Sequence, residues 1–310
     1  MRVLASRRFP GPAWSELEGV ASVEWPVAEP RPGVEVLAVV AATVGDDLLD
    51  LLPDLRLVAN YGVGYDGIDV AACARRGVAV TNTPDALGVA TADLALALVL
   101  AVRRRIVEAD RFVRDGKWAA GWHVGEVLGD DVRGATLGLV GLGRIGGAVA
   151  ERARAFGMRV LHTRRAGGRA DEGYRELDDL LRESDVVSLH VPLTEETAGL
   201  LDRRRLSLLR DGACLVNTAR GAIVDEAALV DELRAGRLRA GLDVFADEPR
   251  VPPALLDLPN VVLRPHVGSA TPGTRAAATA ELVANVRAVL DGRRPPNLGP
   301  GSATVSAKAP

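Results

Sequence analysis

Three ionisable side chains in the second half of the chain, Arg220, Glu248 and His266, have the chemistry needed to reduce a carbonyl beside a carboxylate. Arg220 can hold a planar carboxylate through two parallel hydrogen bonds and polarise the carbonyl. An imidazole such as that of His266 titrates near neutral pH, so it can protonate the carbonyl oxygen as a hydride reaches the carbon. Glu248, hydrogen-bonded to the ring, would orient it and favour its protonated form. We predict that these three residues form the catalytic set.

Taken singly, each residue also fits a structural role. Arg220 is compatible with a surface cation, Glu248 with a helix cap or loop acid, and His266 with a buried core histidine. All three, however, follow predicted strands, at the sheet edge where ligands bind in α/β proteins. Their joint occurrence there favours catalysis.

A glycine-rich turn indicates that the chain binds a dinucleotide. The apolar run 136–140 leads into G-x-G-x-x-G at the start of a predicted helix. Gly141 would make the tight turn, Gly143 would let the backbone approach a pyrophosphate, and Gly146 would let the helix pack closely on the strand. The pyrophosphate would lie at the positive end of that helix. The predicted cofactor residues of this turn are Gly141, Gly143, Arg144, Ile145 and Gly146.

The end of the next strand indicates which dinucleotide is preferred. Enzymes that prefer NAD carry an acidic residue there, which binds the ribose hydroxyls. Here the strand ends in His162-Thr163-Arg164-Arg165, without a carboxylate. A guanidinium at this position can hold a 2′-phosphate, with the hydroxyl of Thr163 as a further donor. We predict NADP(H) as the preferred cofactor and NAD(H) as the alternative, although a solvated basic loop is also compatible with these residues.

The elements that must position these residues follow an α/β pattern with parallel pairing. Helices are predicted over 66–76, over 88–116 as one long helix, and over 271–290. From Pro295 onward the chain is poor in large apolar residues and is predicted to be disordered. The predicted strands are 2–5, 34–40, 56–60, 78–82, 136–140, 158–161, 185–190, 213–217, 240–244 and 261–263.

Composition excludes several classes of protein. With 310 residues, 48% of them hydrophobic, and a net charge of −3, the chain fits a globular protein of two domains. Its basic residues are scattered, which argues against nucleic-acid binding, and its apolar runs are too short to span a membrane. Cys73 and Cys214 provide neither a disulfide pattern nor metal-ligand spacing, so we predict no metal site and a cytoplasmic location. His123 and His162 match no motif and are expected in loops or on the surface.

Together, these motifs resemble the D-isomer-specific 2-hydroxyacid dehydrogenases over about residues 35 to 295. The matching stretches are GVGYD at 62–66, the glycine turn, NTARGAIVD at 217–225, LDVF at 242–245 with EP at 248–249, and PHVGSAT at 265–271. The resemblance implies two Rossmann-like domains, each a doubly wound parallel sheet, with the active-site cleft between them. A flavodoxin-like substrate or catalytic domain would comprise residues 1–94 and 271–310, and a dinucleotide-binding domain residues 95–270.

The resemblance also implies roles for individual residues. Arg220, Glu248 and His266 would catalyse the reaction, and the backbone amides of Val63 and Gly64 would hold the substrate carboxylate. Ser269 and Arg220 complete the predicted substrate site. Asp243 would contact the nicotinamide carboxamide, although a role in capping a neighbouring helix is the alternative. His190 and Pro192 are expected either to line the adenine side or to form a structural strand end. The further predicted cofactor residues are Thr91, Pro192, Thr197, Thr218, Asp243, His266 and Gly268.

Within the family, the chain is most similar to glyoxylate/hydroxypyruvate reductases. Ser269-Ala270-Thr271 followed by Thr274-Arg275, and the pair Trp118 and Trp122, carry this finer resemblance. It implies reduction of a small 2-keto acid to the D-2-hydroxy acid by a homodimer in which the tryptophan segment helps to build the partner's active site. Val124 departs from the proline usual in that segment, which puts its substrate contact in doubt.

Two alternatives remain open at this level. One is a D-2-hydroxyacid dehydrogenase acting on 3-phosphoglycerate, a phosphonate-type substrate, or an aryl or aliphatic keto acid. Formate oxidation is disfavoured because it gives no place to Arg164. The last, from a different class, is a cofactor-sensing, corepressor-like binding protein.

Overall fold

A computed structural model of the protein describes residues 2–121, 125, 127–164, 172–299 and 301–303. The predictions made for Trp122, His123, Val124 and Arg165 lie outside these residues. The chain divides into two compact units. The first unit comprises Met1–Gly88 and Ser269–Pro310, and the second unit comprises Val89–Gly268.

Eleven strands and ten α-helices are described. The strands are β1 (Val3–Ala5), β2 (Ala21–Val23), β3 (Val36–Val39), β4 (Leu57–Asn60), β5 (Ala79–Thr81), β6 (Thr136–Val140), β7 (Arg159–Thr163), β8 (Val186–Leu189), β9 (Cys214–Asn217), β10 (Arg239–Leu242) and β11 (Val261–Leu263). The helices are α1 (Asp46–Asp50), α2 (Val70–Arg75), α3 (Gly88–Arg103), α4 (Ile106–Arg114), α5 (Arg144–Ala155), α6 (Leu177–Glu183), α7 (Arg203–Ser207), α8 (Glu226–Arg234), α9 (Pro253–Leu256) and α10 (Pro272–Leu290).

The first unit contains a five-stranded parallel sheet in the order β2-β1-β3-β4-β5. The strands β1 and β3 are apolar and buried at every position because both faces of the sheet are covered. In β3, Val36 and Ala38 pack into one hydrophobic cluster, and Leu37 and Val39 pack into another. This strand order is that of flavodoxin-like folds, so the prediction for this part of the chain is confirmed.

The second unit contains a six-stranded parallel sheet in the order β11-β10-β9-β8-β6-β7. This is the order of the first sheet with one further strand added at an edge. Leu137 and Leu139 of β6 face one cluster, and Val140 faces the other. Two doubly wound α/β units are therefore present, as the sequence predicted.

The helix α3 belongs to the second unit, whose sheet it covers. A Cβ atom at Gly241 of β10 would lie 2.9 Å from the Cβ atom of Leu98, so helix and strand approach closely at this glycine. The units divide at 88/89 and 268/269. The predicted boundary at 94/95 falls inside α3, whereas packing keeps the helix together with its sheet. The second predicted boundary, at 270/271, lies just before Thr271, which caps α10.

The single long helix predicted over 88–116 is wrong, because the chain turns between α3 and α4. Arg105 adopts a left-handed conformation with φ of 49°. The segment 128–131 binds this turn: the guanidinium of Arg103 donates to the carbonyl of Asp131 at 2.7 and 3.1 Å, and the N–H of Asp130 donates to the carbonyl of Arg103 at 2.7 Å. These tertiary contacts outweigh the local preference for one continuous helix.

Two further expectations are corrected. His162 was expected in a loop or on the surface, but it lies in β7 with 2% of its surface exposed and its ring edge-on to Tyr174. Part of the tail predicted to be disordered is ordered, because Leu298 pairs with Thr81 of β5 in an antiparallel bridge. Leu298 packs against the apolar cluster of the first unit, which the tail's low hydrophobicity did not reveal.

Cys73 and Cys214 are both buried and free, as predicted. Burial raises the pKa of the Cys73 thiol to about 11 and that of Cys214 to about 12. No helix in the part of the chain that the structure describes is both long and apolar enough to cross a membrane.

Candidate active site

The carboxyl ends of the second unit's parallel strands meet at one edge of its sheet, and most of the predicted site residues follow them. The glycine turn follows β6, Arg164 follows β7, Arg220 follows β9, and His266 follows β11. The chain order reverses direction between the neighbours β6 and β8, which is where open α/β sheets bind ligands.

The glycine turn has the geometry that its sequence predicted. Gly141 has a φ of 98°, and a Cβ atom there would lie 2.7 Å from the carbonyl oxygen of His190. At Gly146, a Cβ atom would lie 2.2 Å from the carbonyl oxygen of Gly141. Gly143 instead faces open space and precedes the first turn of α5, where no side chain caps the helix. The backbone N–H groups at Arg144 and Ile145 thus begin a helix that can accept an anion.

His190 lies beneath this turn, at the end of β8. Its Nε2 atom is 2.9 Å from the Oγ atom of Ser188, which is itself fully buried. Burial lowers the pKa of His190 to about 4, so the ring is neutral near pH 7. Because its carbonyl abuts Gly141 and its Cβ atom lies 3.6 Å from where a Cβ atom at Gly146 would be, His190 supports the turn.

The end of β7 carries a guanidinium with unused donors. Within the described residues, the Nε and Nη2 atoms of Arg164 are buried and have no hydrogen-bond partner. Thr163, half-buried, ends the strand, and its carbonyl accepts a hydrogen bond from the N–H of Gly141 at 3.2 Å. The backbone that leads into Arg164 therefore lies next to the glycine turn.

The turn that carries Arg220 is held by two residues to which the sequence gave no role. The Nδ2 atom of Asn217 donates to the carbonyl of Arg220 at 2.8 Å, and its Oδ1 atom accepts from the N–H of Ala219 at 3.0 Å. Gly221 packs against the loop that follows β10. A Cβ atom at Gly221 would lie only 1.9 Å from the carbonyl carbon of Phe245 in that loop. Arg220 is thus fixed beside the loop that leads to Glu248.

Glu248 and His266 form a hydrogen-bonded pair. The Oε2 atom of Glu248 lies 2.7 Å from Nδ1 of His266, and its Oε1 atom accepts from the N–H of Phe245 at 3.0 Å. The carboxylate thus spans its own loop and the imidazole, which fixes the ring's orientation and leaves Nε2 for another partner. The His266 side chain is 45% exposed, so it can reach a ligand.

Asp243 fixes the backbone of His266. His266 has a φ of 53°, an unfavourable conformation for a residue with a side chain. The carbonyl of Asp243 accepts the N–H of His266 at 2.8 Å, and its Oδ1 atom accepts the N–H of Val267 at 2.8 Å. Burial raises the pKa of the Asp243 carboxyl, and the N–H of Val267 opposes that rise. The alternative role of Asp243, capping a helix, is not what its described contacts show.

Two predicted cofactor residues near His266 have buried polar atoms that are still available. Oδ2 of Asp243 and Oγ1 of Thr218 have no hydrogen-bond partner among the described residues. Gly268 brings Thr91 close to Asp243: a Cβ atom at this glycine would lie 3.2 Å from Oδ2 of Asp243 and 3.5 Å from the methyl group of Thr91. Buried polar atoms that the protein leaves unsatisfied are costly unless a ligand pairs with them.

Pro192 and Thr197 lie in one turn after β8. The Oγ1 atom of Thr197 donates to the carbonyl of Pro192 at 2.6 Å and accepts the N–H of Thr194 at 2.8 Å. The hydroxyl therefore closes the turn, while Pro192 itself is exposed. Their assignment to the cofactor stays a prediction.

The first unit carries the other predicted substrate residues. The Nδ2 atom of Asn60 donates to the carbonyls of Gly64 at 2.9 Å and of Gly62 at 3.3 Å. The N–H groups of Val63 and Gly64 donate to no other group in the described part of the chain, so a small loop of free amides follows β4. Such loops bind anions. Ser269, half-buried, precedes the cap of α10, and its carbonyl accepts the N–H of Thr271 at 2.9 Å.

These observations fit a bound nicotinamide dinucleotide. The turn at Gly141 and Gly146 excludes side chains, the start of α5 is uncapped, and Arg164, Thr218 and Asp243 keep buried polar atoms without partners. No group of three His, Cys, Asp or Glu residues suited to a metal ion occurs within the described ranges.

Comparison with known proteins agrees with this fit. Residues 96–268 match the model for the NAD binding domain of D-isomer specific 2-hydroxyacid dehydrogenases. A glyoxylate reductase of Thermococcus litoralis is 46% identical over 319 residues, covering 96% of each chain. A glyoxylate reductase of Thermococcus kodakarensis is 50% identical over 273 residues, covering 85% of this chain and 82% of the relative.

A solved structure shows the same architecture. The NADPH-dependent glyoxylate/hydroxypyruvate reductase of Sinorhizobium meliloti, in complex with NADP and malonate, has a TM-score of 0.87 to this chain, is 36% identical, and covers 99% of both chains. The resemblance drawn from the motifs is therefore confirmed. The protein is an oxidoreductase that acts on the CH–OH group of a 2-hydroxyacid with a nicotinamide dinucleotide, and the chain belongs to the D-isomer-specific 2-hydroxyacid dehydrogenase family.

Proposed function

We propose that the protein reduces glyoxylate, hydroxypyruvate or a similarly small 2-keto acid to the D-2-hydroxy acid, with NADPH as the preferred reductant. The observation that carries the proposal is the 2.7 Å contact between Oε2 of Glu248 and Nδ1 of His266. It orients an exposed imidazole as a proton donor beside the residues assigned to the cofactor. The glyoxylate reductases at 46 and 50% identity support the substrate class.

In this proposal His266 is the acid of the reaction. A reduced nicotinamide bound at the predicted cofactor residues would supply the hydride that C2 of the keto acid accepts. The carbonyl oxygen takes the proton of Nε2 of His266 as the C=O bond becomes a C–O–H bond, and the ring later regains a proton from water. Glu248 stabilises the imidazolium before that transfer and keeps the ring in place. In the reverse direction the neutral ring accepts the hydroxyl proton.

In this proposal Arg220 is assigned to the substrate carboxylate. A guanidinium can hold two carboxylate oxygens, and Asn217 and Gly221 hold the backbone that carries it. The N–H groups of Val63 and Gly64 are free donors of the kind that binds a carboxylate without a counter-charge. Ser269 is the further substrate residue in this assignment.

The preference for NADPH depends on Arg164. Its unpartnered Nε and Nη2 atoms are suited to a 2′-phosphate, and no acidic residue stands at the described end of β7. Thr163 and Arg165 are the further donors in the proposal. Asp243 and Thr218 would pair their free oxygen atoms with the nicotinamide carboxamide and neighbouring hydroxyls.

We also infer a homodimer in the cytoplasm. The helix α4 buries none of its residues, and Ile106, Val113 and Trp118 are each more than half exposed, which supports a partner surface there. Two free buried cysteines support a reducing compartment. Light scattering coupled to size-exclusion chromatography should give twice the chain mass of 32.6 kDa. Val113→Glu should lower it towards one chain mass, whereas a single-chain mass for the unmodified protein would contradict the dimer.

The first test is a matched set of assays with purified protein. NADPH and NADH oxidation are followed in parallel with glyoxylate, hydroxypyruvate, pyruvate and a bulky aryl keto acid. We expect rapid NADPH oxidation with the two smallest substrates. Faster NADH use would contradict the assignment of Arg164, preference for the aryl acid would favour a different dehydrogenase of the family, and cofactor binding without turnover would favour a binding protein.

A substitution then tests the proton donor. His266→Ala should lower kcat for glyoxylate about a thousandfold, because general acid catalysis is lost, while the Kd of NADPH stays near its original value. The control is Glu248→Gln, which keeps a hydrogen-bonding group next to Nδ1 and should lose less. A His266→Ala enzyme with near-normal kcat would remove His266 from the proton-transfer role.

A further inference from the structure

The amide loop of the first unit owes its free N–H groups to the orientation of its carbonyls. The carbonyl of Gly62 accepts from the N–H of Thr83 at 3.0 Å and from Asn60, and that of Gly64 accepts from Asn60. The carbonyl of Val63 accepts from Nδ2 of Asn82 at 2.9 Å. Three consecutive carbonyls are thus held by donors that follow the strands β4 and β5.

These hydrogen bonds set the direction of the amides. A trans peptide is planar, and its C=O and N–H bonds point in opposite directions. The bond from Asn82 to the carbonyl of Val63 therefore aims the N–H of Gly64 the other way, and the bonds to Gly62 do the same for the N–H of Val63. Asn82 holds one of the two peptide planes whose amides are assigned to the substrate carboxylate.

The position of Asn82 depends in turn on the C-terminal tail. The N–H of Asn82 donates to the carbonyl of Asn297 at 3.3 Å, and its carbonyl accepts from Nδ2 of Asn285 at 3.3 Å. Oδ1 of Asn285 accepts the N–H of Asn297 at 3.0 Å, which closes a ring of three asparagines. Asn285 lies on α10 and is 1% exposed, so this ring is anchored in the core of the first unit.

The tail is attached along β5 by further contacts. Leu298 bridges Thr81, the N–H of Gly299 donates to the carbonyl of Val80 at 2.9 Å, and the Oγ atom of Ser302 accepts the N–H of Val80 at 2.6 Å. The tail thus pairs with backbone N–H and C=O groups of the edge strand β5, just before Asn82. Hydrogen bonds thus link Asn297, Gly299 and Ser302 to β5 and, through Asn82, to the amide loop.

We propose that the C-terminal residues 297–299 and Ser302 form a positioning element for substrate binding: through Asn82, they hold the amide of Gly64 in the direction that binds a carboxylate. This inference rests on the proposed function of the amide loop and deepens it. Asn82 and the tail do not touch the substrate themselves. They hold the loop in its binding orientation beforehand, so the loop loses less conformational entropy when an anion binds.

The test separates binding at the amide loop from turnover. A chain that ends at Pro296 is compared with one that ends at residue 303, which keeps the whole segment. For each, calorimetry measures the Kd of oxalate, a small carboxylate that is not reduced, and of NADPH, and assays measure KM and kcat for glyoxylate. The shorter chain should bind oxalate about tenfold more weakly and show a similar rise in KM, with kcat and the Kd of NADPH nearly unchanged.

Asn82→Asp tests the same link if the shorter chain does not fold. Aspartate keeps the shape of asparagine, but its carboxylate cannot donate to the carbonyl of Val63 and adds a negative charge near the anion. Oxalate affinity should fall at least about tenfold, with the NADPH affinity retained. Ser302→Ala, at the far end of the series, should have a smaller effect in the same direction.

Unchanged oxalate affinity in the shorter chain or in Asn82→Asp would overturn the inference, as would an equal loss of NADPH affinity, which indicates general loosening. These outcomes are distinguishable from a failure of the proposed function. Glyoxylate turnover that does not depend on the tail would leave the function standing without the inference. Oxalate binding that depends on the tail, without any turnover of glyoxylate, would support the inference and contradict the proposed function.

Discussion

The two units share a strand order but build their proposed anion sites by different means. In the second unit, the site follows β6 and consists of a glycine turn and the uncapped start of α5. In the first unit, it follows β4 and consists of loop amides whose carbonyls are held by Asn60, Thr83 and Asn82. One site uses the fixed geometry of a helix, and the other uses hydrogen bonds from neighbouring strand ends.

This difference explains why the two sites differ in how readily they are recognised. A helix start directs its N–H groups by itself, so the chain needs only glycines at set spacings, and these are visible in the sequence. A loop has no such built-in direction. Its amides are aimed by side chains such as Asn82, which reaches the loop because β4 and β5 are neighbours in the sheet. The comparison predicts that added side-chain bulk weakens binding most at the glycine turn of the second unit. Loss of a hydrogen-bond donor should weaken binding most at the amide loop of the first unit.

The largest effect is expected at the glycine turn. In Gly146→Ala, the added Cβ atom would lie 2.2 Å from the carbonyl oxygen of Gly141, so the turn must distort. We expect the free energy of unfolding to fall by about 3 kcal/mol, together with loss of measurable NADPH binding. Urea unfolding and calorimetry check the two effects. Gly143→Ala is the matched control, because a Cβ atom there meets nothing within 4 Å: it should keep the stability and weaken only NADPH. Equal stability of the two variants would contradict the steric account.

The next largest effect is expected from a change of charge at Arg164. This residue follows β7, the neighbour of the strand that leads into the glycine turn. Arg164→Asp should raise the KM for NADPH about thirtyfold, because a charge-assisted contact is replaced by repulsion, and should leave the KM for NADH unchanged or lower. Steady-state kinetics with both cofactors measure the ratio. Arg159→Asp, an exchange at an exposed residue at the opposite end of β7, provides the control. An unchanged ratio would remove Arg164 from the phosphate site.

The buried ring of His190, which supports the glycine turn, predicts that the stability of the protein depends on pH. Folding lowers the pKa of His190 from its ordinary value near 6.5 to about 4 through burial. The unfolded chain therefore binds more protons between these values, so this contribution to stability is present above pH 6.5 and is lost as the pH falls towards 4. Between pH 7 and 5, about 2 kcal/mol of unfolding free energy should disappear. Urea unfolding of the unmodified protein and of His190→Gln measures it, and an equally steep pH dependence in the variant would exclude His190 as its source.

The smallest effect is expected from a lost donor in the first unit. Asn60→Ala removes the hydrogen bonds to the carbonyls of Gly62 and Gly64 and should raise the KM for glyoxylate about tenfold, with little change for NADPH. Asn60→Asp, which keeps the side-chain shape without the donor, should behave similarly or worse. A larger change for NADPH than for glyoxylate would mean that the two units do not handle their ligands separately.

Much of this fold and site could be predicted from local patterns. Apolar runs such as 186–189 and 214–217 are buried strands because parallel strands covered on both faces are apolar throughout. Arg220, Glu248 and His266 could be proposed as catalytic residues because their motifs follow such strands. The predictions failed where distant residues decide the outcome: segment 128–131 turns the chain after Arg103, and β5 orders a tail that has little hydrophobicity of its own. Strand β2, short and partly exposed, was missed for a similar reason.

By itself, the sequence determined the α/β class, the glycine turn, the absence of an acidic residue after β7 and the family to which the chain belongs. These depend on residue types at fixed spacings, which act over one strand and one turn of helix. Tertiary structure alone decided that Asp243 holds a left-handed histidine and that Asn82, Asn285 and Asn297 form one ring. Each of these depends on which strand ends become neighbours. That is set by the packing of the whole sheet, because a hydrogen bond requires contact to within about 3 Å.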